Sequence, residues 1–203
     1  MNENYFKLGQ KQLEKLGSRK KILLHSCCAP CSSHVISYLT NFFDITIFYY
    51  NPNVSPKSEY EKRKKEQIRL IKEIDKVGKI DIIDCDYDND IYEERIHGLE
   101  LEPERGKRCT ICFDLRLSKT AQMAEHLKYD YFCSTLTVSP YKNSKLINEI
   151  GEQLGKEYGV NWLYSDFKKE NGYKHSIELS HKYNLYRQDY CGCKYSVRNK
   201  VQD

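Results

Sequence analysis

Short apolar runs alternate with stretches that carry apolar residues at helical spacing along most of the chain. The apolar runs at 22–24, 44–50, 79–85, 130–134 and 160–164 predict five buried strands. The stretches between and after them predict helices at 32–39, 58–77, 109–127, 145–158 and 176–183. Because strands and helices alternate, the pattern predicts an α/β fold whose five-stranded, mainly parallel sheet is flanked by helices.

Three further segments complete this plan. The first sixteen residues predict an amphipathic helix that ends at Gly17 and packs on the edge of the sheet. Residues 86–108 are acidic and interrupted by glycine and proline, which predicts an insertion near the site with a short helix at 91–97. At 203 residues the chain is long enough for one well-formed core. We therefore expect a single domain over 1–203, completed by a cysteine-containing C-terminal segment at 184–203.

Composition and charge indicate a cellular compartment for the protein but do not identify a binding partner. The 33 lysines and arginines against 29 aspartates and glutamates give a formal charge of +4, which allows a polyanionic partner and does not require one. The amino-terminal residues lack the apolar core of a signal peptide, and no apolar run reaches the length of a membrane span. We therefore expect a protein of the reducing cytoplasm with no membrane partner, where clustered cysteines are metal ligands or reactive thiols rather than disulfides.

Seven of the nine cysteines fall into three closely spaced groups. The groups are Cys27, Cys28 and Cys31; Cys109 and Cys112; and Cys191 and Cys193. The first group follows the apolar run at 22–24, and open α/β sheets bind their ligands at this end of their strands. Grouped thiolates bind zinc or iron–sulfur clusters, so the spacing predicts metal binding. The other two, Cys85 and Cys133, fall inside predicted strands, where a buried cysteine acts as a small apolar residue.

The number of grouped thiols exceeds the four ligands that one structural zinc ion takes. Side chains from the adjacent Cys27 and Cys28 are expected to diverge, which would keep both from reaching the same iron of a cluster. We therefore expect two neighbouring metal sites. One thiolate from each group would hold a [4Fe-4S] cluster and leave its fourth iron open to substrate. The remaining thiolates would hold a second metal, together with a carboxylate such as Asp114 or Asp189.

The cysteine motifs and several polar motifs together resemble the cobalamin-independent epoxyqueuosine reductases, the QueH family. The resemblance extends over about residues 20–194, nearly the whole expected domain. Its main segments are 24–31 (LHSCCAPC), 51–53 (NPN), 108–113 (RCTICF), 134–143 (STLTVSPYKN) and 185–193 (LYRQDYCGC). Shorter matches are Glu59, Tyr60, Arg63, 98–100, 102–104, 167–169, Gly172 and Tyr173.

This resemblance implies the last step of queuosine synthesis. In that step, an epoxide on the modified base at the wobble position of tRNA is reduced to a cyclopentene, with two electrons and two protons. The family is similar in fold to the HUP superfamily, which is Rossmann-like, and carries an iron–sulfur cluster with an adjacent metal ion. We expect that second metal to be iron, with zinc as the alternative. The implied partners are tRNA with a queuosine-type anticodon and an electron donor protein or other reductant.

Several single residues are candidates for roles around the metals. His25 ends the first predicted strand and is a candidate to donate a hydrogen bond or a proton, although a histidine there is equally typical of a satisfied core residue. Asp189, beside the third cysteine group, is the other catalytic candidate. Four residues are candidates for contact with the anticodon arm, although charge runs are commonly just solvated surface. They are Lys142, Lys168, Lys169 and Tyr173.

Two other functions are compatible with parts of the sequence. An ATP-dependent tRNA sulfur transferase of the same superfamily would require a glycine-rich phosphate loop after the first strand. The corresponding residues 26–31 contain no glycine, and Pro30 lacks an N–H, so ATP binding is not expected. A zinc-bound RNA-binding module is the other alternative. It would contain zinc without iron or sulfide, and cysteines at strand ends of an α/β core argue against it.

Overall fold

The computed structural model describes residues 3–75 and 79–196. Within these ranges, the strands are β1 Lys20–His25, β2 Phe43–Tyr49, β3 Asp81–Asp84, β4 Tyr131–Ser134 and β5 Asn161–Trp162. The helices are α1 Tyr5–Glu14, α2 Ala29–Leu39, α3 Lys57–Ile74, α4 Asn89–Arg95, α5 Lys107–His126, α6 Ser144–Tyr158 and α7 Gly172–Lys182. Two short 3-10 helices lie at Thr135–Val138 and Lys194–Ser196.

The five strands form one sheet in the order β3-β2-β1-β4-β5, and its strand pairs are all parallel. This confirms the predicted α/β class and its five-stranded sheet. Successive strands are added on one side of β1 as far as β3, and β4 and β5 are then added on its other side. At this switch point between β1 and β4, His25 is in register with Ser134. In sheets of this kind, the crevice at such a switch point is the place where ligands bind. The carboxyl ends of β1 and β4 are therefore where a site is expected.

The centre of the sheet is buried on both faces by helices. Ile22 and Leu24 of β1 point into a cluster with side chains of α2, and Leu23 points into a second cluster with side chains of α5. Because neighbouring residues of a strand alternate between faces, a continuous apolar run is what a strand buried on both sides requires. The sheet is thereby held rigidly beneath the residues that follow its strands.

The predicted packing of the first helix on the sheet edge is confirmed. Gln12 of α1 donates from Nε2 to the carbonyl oxygen of Trp162 at 2.9 Å. Its Oε1 accepts from the backbone N–H of Tyr164, also at 2.9 Å. One side chain thus satisfies a carbonyl of the edge strand β5 and an N–H just beyond its end. The predicted range of this helix includes residues 1 and 2, which lie outside the described residues, and the helix ends at Glu14 rather than at Gly17.

Helix boundaries differ from the sequence prediction where proline or glycine begins a helix. Helix α2 begins at Ala29 rather than at Ser32, because the fixed φ of Pro30 and its missing N–H suit the first turn. Cys31 consequently lies within the helix and not in the preceding loop. Helix α7 begins at Gly172, one turn earlier than predicted. The last three residues predicted for the third helix include 76 and 77, which lie outside the described residues.

Candidate metal and substrate site

The first cysteine group forms a close cluster of sulfur atoms at the carboxyl end of β1. The Sγ atoms of Cys27, Cys28 and Cys31 all lie within 4.8 Å of one another, and those of Cys27 and Cys28 are 3.7 Å apart. The expectation that these adjacent side chains diverge is wrong, because the chain turns from strand to helix at this pair. Across residues 3–75 and 79–196, no other three His, Cys, Asp or Glu side chains bring ligand atoms so close.

Buried polar side chains hold the loop that carries these cysteines. Ser26 and Ser32, on either side of the group, both donate from Oγ to Oε1 of Gln67, at 2.7 and 2.8 Å. Asn51 donates from Nδ2 to the carbonyl oxygen of Ser26 at 2.8 Å. All four residues are buried. The loop is therefore fixed from both β2 and α3 sides, which keeps the sulfur atoms in place without a ligand.

The three thiols differ in acidity because they share hydrogen bonds. Hydrogen bonds from the Cys28 and Cys31 thiols lower the pKa of Cys27 well below its ordinary value, and the charge of Lys142 acts in the same direction. The same contact with Cys27 raises the pKa of Cys28 to about 11. Hydrogen bonding to Cys27 and Cys28 also raises the pKa of Cys31. The group is therefore most stable with one thiolate, on Cys27, and a bound cation would favour the loss of the other protons.

Arg116 is a fully buried cation next to this group. Its Nη2 donates to Oδ1 of Asn51 at 2.6 Å, and its Nη1 lies 3.8 Å from Sγ of Cys112. Burial disfavours the charged form of Arg116, but the nearby thiols of Cys112 and Cys27 favour it, and its pKa is raised overall. Since a guanidinium stays charged, it stabilises negative charge on sulfur on both sides. Arg116 thus links the first and second cysteine groups electrostatically.

His25 is buried behind the site. Its Nδ1 lies 2.9 Å from Oγ of Ser134, and its Nε2 lies 3.1 Å from the carbonyl oxygen of Tyr50. Burial, reinforced by the charge of Arg116, lowers the pKa of His25 to about 3, so the ring is neutral at pH 7. His25 lines neither cavity of the site. These contacts join β1 to β4 and favour a positioning role over the catalytic role considered from the sequence.

A cavity of about 230 Å³ opens beside the first cysteine group. Its wall combines sulfur atoms with acidic, basic and aromatic side chains. The cysteines in this wall are Cys27, Cys31 and Cys191, and the charged side chains are Arg63, Glu104, Lys142, Arg187 and Asp189. Tyr141, Tyr173 and Tyr190 supply its rings. A polar molecule could therefore enter this cavity and lie against the sulfur atoms.

A smaller cavity of about 30 Å³ adjoins the first. Its four cysteines are Cys109, Cys112, Cys191 and Cys193. The two cavities share Cys191 and Lys142, which therefore mark the boundary between them. All three cysteine groups predicted from the sequence meet in this one region, although they are up to 166 positions apart along the chain.

The second cysteine group lies in the first two turns of α5. The backbone N–H of Arg105 donates to Sγ of Cys109 at 3.2 Å. Burial raises the pKa of Cys112 to about 12 and also raises that of Cys109. Arg108, next to Cys109, contacts the predicted insertion at 86–108. Its Nη1 donates to the carbonyl oxygens of Leu99 and Glu100 at 3.1 and 3.0 Å. The insertion predicted near the site is thus fastened to the helix turn that carries the cysteines.

The third cysteine group is held by α3. Arg63 donates from Nη1 and Nη2 to the carbonyl oxygens of Cys191 and Tyr190, at 3.2 and 3.4 Å. Gly192 has a φ of +118°, and a Cβ there would lie 2.9 Å from Nη1 of Arg63. The backbone N–H of Ser55 donates to the carbonyl oxygen of Gly192 at 2.9 Å. Glycine is therefore required between the two cysteines both for its backbone conformation and for space.

The remaining predicted residues divide between the cavities and the surface. Asp189 and Tyr173 line the larger cavity, and Lys142 lines both cavities. Asp114 lies on the exposed side of α5 and lines neither. Lys169 is exposed outside the cavities, and the Nζ of Lys168 is paired with the carboxylate of Asp166.

Three residues that hold the site were not selected from the sequence for that role: Arg63, Asn51 and Gln67. Arg63 and Gln67 lie in the charged helix α3, where polar residues are expected on the solvated side. In the structure both are buried and face the site. The available signal is their spacing, because Arg63 and Gln67 fall on the same helical stripe as the apolar Tyr60 and Leu70.

No helix among residues 3–75 and 79–196 is both long and apolar enough to span a membrane.

The parallel sheet and the cysteine group at the end of β1 define an α/β protein with three thiols close enough together to hold a metal ion. Residues 22–199 match the family described as Epoxyqueuosine reductase QueH. A protein of that name from Streptococcus pyogenes is 47% identical over 91% of this chain and 73% of its own length. One from Staphylococcus epidermidis is 46% identical over 98% and 87%, and one from Thermotoga maritima is 34% identical over 87% and 90%. The chain belongs to the epoxyqueuosine reductase QueH family.

Proposed function

We propose that this protein reduces epoxyqueuosine to queuosine at the wobble position of tRNA, the last step of queuosine biosynthesis. The observation that carries the proposal is the meeting of seven cysteines at the strand ends of a protein of this family. The reaction removes the epoxide oxygen as water and leaves a carbon–carbon double bond, so it consumes two electrons and two protons. The family match favours this reductase over the sulfur transferase and the zinc-bound RNA-binding module.

The spacing of the first group suits a single metal ion. A tetrahedral ion with metal–sulfur bonds of about 2.3 Å places its sulfur ligands about 3.8 Å apart. The separation of the Cys27 and Cys28 sulfurs is 3.7 Å, and Cys31 lies within 4.8 Å of both. We propose that these three thiolates hold the second metal, iron or zinc, and leave one position that faces the larger cavity.

The other four cysteines suit a [4Fe-4S] cluster. Thiolate ligands of such a cluster bind separate irons, so they must stand further apart than the ligands of one ion. Cys109, Cys112, Cys191 and Cys193 surround one cavity without forming a close group of sulfur atoms. This division differs from the sequence-based expectation of one cluster ligand from each group. Asp114, on the exposed side of α5, has no part in it.

A cluster held by Cys109, Cys112, Cys191 and Cys193 would supply single electrons, and an ion held by Cys27, Cys28 and Cys31 would supply Lewis acidity. The residues of the chain bind the substrate and manage charge. Lys142 lies at the boundary of the two cavities, where burial disfavours its charge but the thiols of Cys191 and Cys27 raise its pKa overall. Lys142 therefore stays protonated. Its positive charge lies in the cavity wall, where it would stabilise negative charge on the substrate oxygen. Asp189, exposed on the wall of the cavity, is placed to relay a proton from solvent.

Contact with the tRNA backbone is proposed for the basic residues around the cavity. Lys142 lines the cavity, and Lys169 is exposed at the end of the 167–169 motif. Tyr173 contributes its ring to the cavity wall. Lys168 is a weaker candidate because Asp166 already neutralises it. A polyanionic substrate also agrees with the formal charge of +4. We further propose that the protein works in the cytoplasm with a one-electron donor protein or small reductant.

The experiment that tests the proposed function is a turnover assay with anaerobically purified, cluster-reconstituted protein. Epoxyqueuosine-containing tRNA and a strong reductant are supplied. The tRNA is then digested to nucleosides, which are identified by mass spectrometry. A loss of 16 mass units, the mass of the epoxide oxygen, is the expected product shift. A Cys191→Ala variant is the matched negative control, because Cys191 lines both cavities. Unchanged epoxyqueuosine with fully reconstituted wild-type protein would refute the proposal.

A further inference from the structure

We propose that the ring of Tyr141 is the surface on which a base of the anticodon loop stacks while the epoxide-bearing group occupies the larger cavity. This inference rests on the proposed function, because it assumes that the substrate is a base in a single-stranded loop. It names a contact that neither the family match nor the cysteine arrangement assigns.

Tyr141 differs from every other aromatic residue of the chain in its exposure. All 17 tyrosines, all 7 phenylalanines and the single tryptophan lie within residues 3–75 and 79–196. Tyr141 is the one exposed ring among them, with 55% of its surface accessible to solvent. The others are buried or partly covered by packing. Single exposed apolar side chains are common on protein surfaces, so the exposure of Tyr141 gains meaning only from where the ring lies.

The position of Tyr141 suits a base that reaches into the site. The residue lines both the larger and the smaller cavity, so its ring stands where the cavities open to solvent. Three other exposed large apolar side chains lie elsewhere and line neither cavity; they are Ile91, Leu101 and Leu127. Proteins that recognise single-stranded RNA stack unpaired bases on exposed aromatic rings in this way.

The backbone of Tyr141 is fixed on both sides. Its N–H donates to Oγ of Ser139 at 3.3 Å, and its carbonyl oxygen accepts from Nε of Arg105 at 3.0 Å. Pro140 precedes it and restricts the chain further. A backbone that is already ordered loses less entropy on binding than a mobile one. The ring of Tyr141 is thus carried on a fixed backbone beside both cavities.

Arg105 adds a cation to this surface. Its guanidinium carbon lies 5.9 Å from the centre of the Tyr141 ring. Arg105 also has a φ of +75°, a conformation that a residue with a Cβ adopts only when surrounding contacts hold it there. The same side chain that orders Tyr141 therefore presents positive charge beside the ring. A base on the ring would bring its phosphates close to Arg105, and this matches charge as well as shape.

The test measures binding of an anticodon stem-loop RNA that carries 2-aminopurine next to the wobble position. Its fluorescence reports stacking directly and needs no turnover. We expect Tyr141→Ala to weaken binding by about fivefold to a hundredfold and to remove most of the fluorescence change. Tyr141→Phe should bind within about twofold of wild type, because stacking needs the ring and not the hydroxyl. The salt dependence should be the same for all three proteins, since no charge is altered.

Leu127→Ala is the matched control, because Leu127 is also exposed but lies at the far end of the 20-residue helix α5. It should bind as wild type does. Circular dichroism and metal content verify that Tyr141→Ala is folded, and Tyr141→Leu provides a second variant that keeps an apolar side chain. Binding and fluorescence unchanged in both Tyr141→Ala and Tyr141→Leu would overturn the inference. A requirement for the hydroxyl, shown by a loss in Tyr141→Phe, would overturn it as well. Failure of wild-type turnover would instead count against the proposed function.

Discussion

Arg63 donates from Nη1 to the carbonyl oxygen of Cys191 at 3.2 Å, which ties the C-terminal cysteines to helix α3. Its Nε is also paired with Oε1 of Glu59 at 2.7 Å, with both side chains largely buried. We predict that Arg63→Ala lowers the free energy of unfolding by about 3 kcal/mol, because the Glu59 carboxylate loses its buried counter-ion. The variant should also lose iron during anaerobic gel filtration. Urea unfolding and iron analysis measure the two effects.

Arg69→Ala separates these two effects. Arg69 lies on the same helix and donates to the carbonyl oxygens of Tyr183 and Asn184, further from the cysteines, and it is 38% exposed. We expect a loss of about 1 kcal/mol in stability, as is typical of exposed ion pairs and hydrogen bonds, and full retention of iron. Equal iron loss in both variants would show that Arg63 has no particular role in placing Cys191.

Gly192 provides a test of the geometry between the last two cysteines. An alanine there would combine a φ of +118° with a Cβ only 2.9 Å from Arg63 and 3.0 Å from Val54. Gly192→Ala should therefore cost about 2 kcal/mol and lower the sulfide content of the purified protein. Gly159→Ala is the control, since its φ is +68° but no atom lies within 4 Å of the added Cβ. It should cost about 1 kcal/mol and retain the sulfide. Sulfide retained in both variants would contradict the prediction.

Acid stability should depend on His34. Burial, together with the ring of His175 at 3.0 Å, lowers the pKa of His34 from 6.5 to about 4. Between these values, the unfolded chain binds a proton that the folded protein does not, so stability falls as the pH is lowered from 6.5 towards 4. The slope from this one group is at most about 1.4 kcal/mol per pH unit. His34→Gln should flatten the acid side of a plot of stability against pH.

A histidine on the surface provides the comparison for that plot. His126, at the end of α5, is exposed, and His126→Gln should leave the acid slope as it is in wild type. Thermal or urea unfolding at several pH values between 4 and 7 measures both variants. An unchanged slope in His34→Gln would mean that the contact between α2 and α7 at this pair does not respond to pH.

The lysines should differ in their effect on tRNA binding. Lys169 is exposed, so Lys169→Ala should lower the slope of log affinity against log salt by about 1, the value for one phosphate contact. Lys168 is paired with Asp166, and Lys168→Ala should leave the slope nearly unchanged. Filter binding at four or five salt concentrations measures both. The reverse order of effects would assign the phosphate contact to Lys168.

Most of the fold follows from the sequence because the central strand β1 contains an unbroken apolar run at 22–24 and the neighbouring strands are rich in β-branched and aromatic residues. Residues 22–24 alternate between the two core clusters, so β1 is buried on both faces. A strand of this kind is typical of a parallel sheet covered by helices on both sides. The start of α2 differs from the prediction because Pro30 suits a loop as well as a first helical turn. Strand β5 is shorter than its apolar run, since an edge strand has a partner on one side alone.

The sequence predicts which cysteines form the site, but it does not predict how their sulfur atoms are arranged. Short spacing identifies groups of thiols, but the positions of the sulfur atoms depend on how the chain turns at Cys28 and on contacts from distant residues. Gln67 and Arg63 reach the site from a helix whose sequence is dominated by charge, so their burial comes from tertiary packing. The sequence makes His25 a catalytic candidate because its position does not reveal that both ring nitrogens have buried partners in Ser134 and Tyr50.

The division of the cysteines into an ion site and a cluster site is the central claim, and metal analysis tests it most directly. Iron, zinc and sulfide are measured in anaerobically reconstituted wild type, in Cys28→Ala and in Cys109→Ala, with an EPR spectrum before and after reduction. Wild type should contain about four sulfides and one metal ion beyond the four irons of the cluster. Cys28→Ala should lose the extra ion and keep the sulfide and the reducible signal, whereas Cys109→Ala should lose the sulfide. Loss of sulfide in Cys28→Ala with retention in Cys109→Ala, or zinc without sulfide in wild type, would contradict the account.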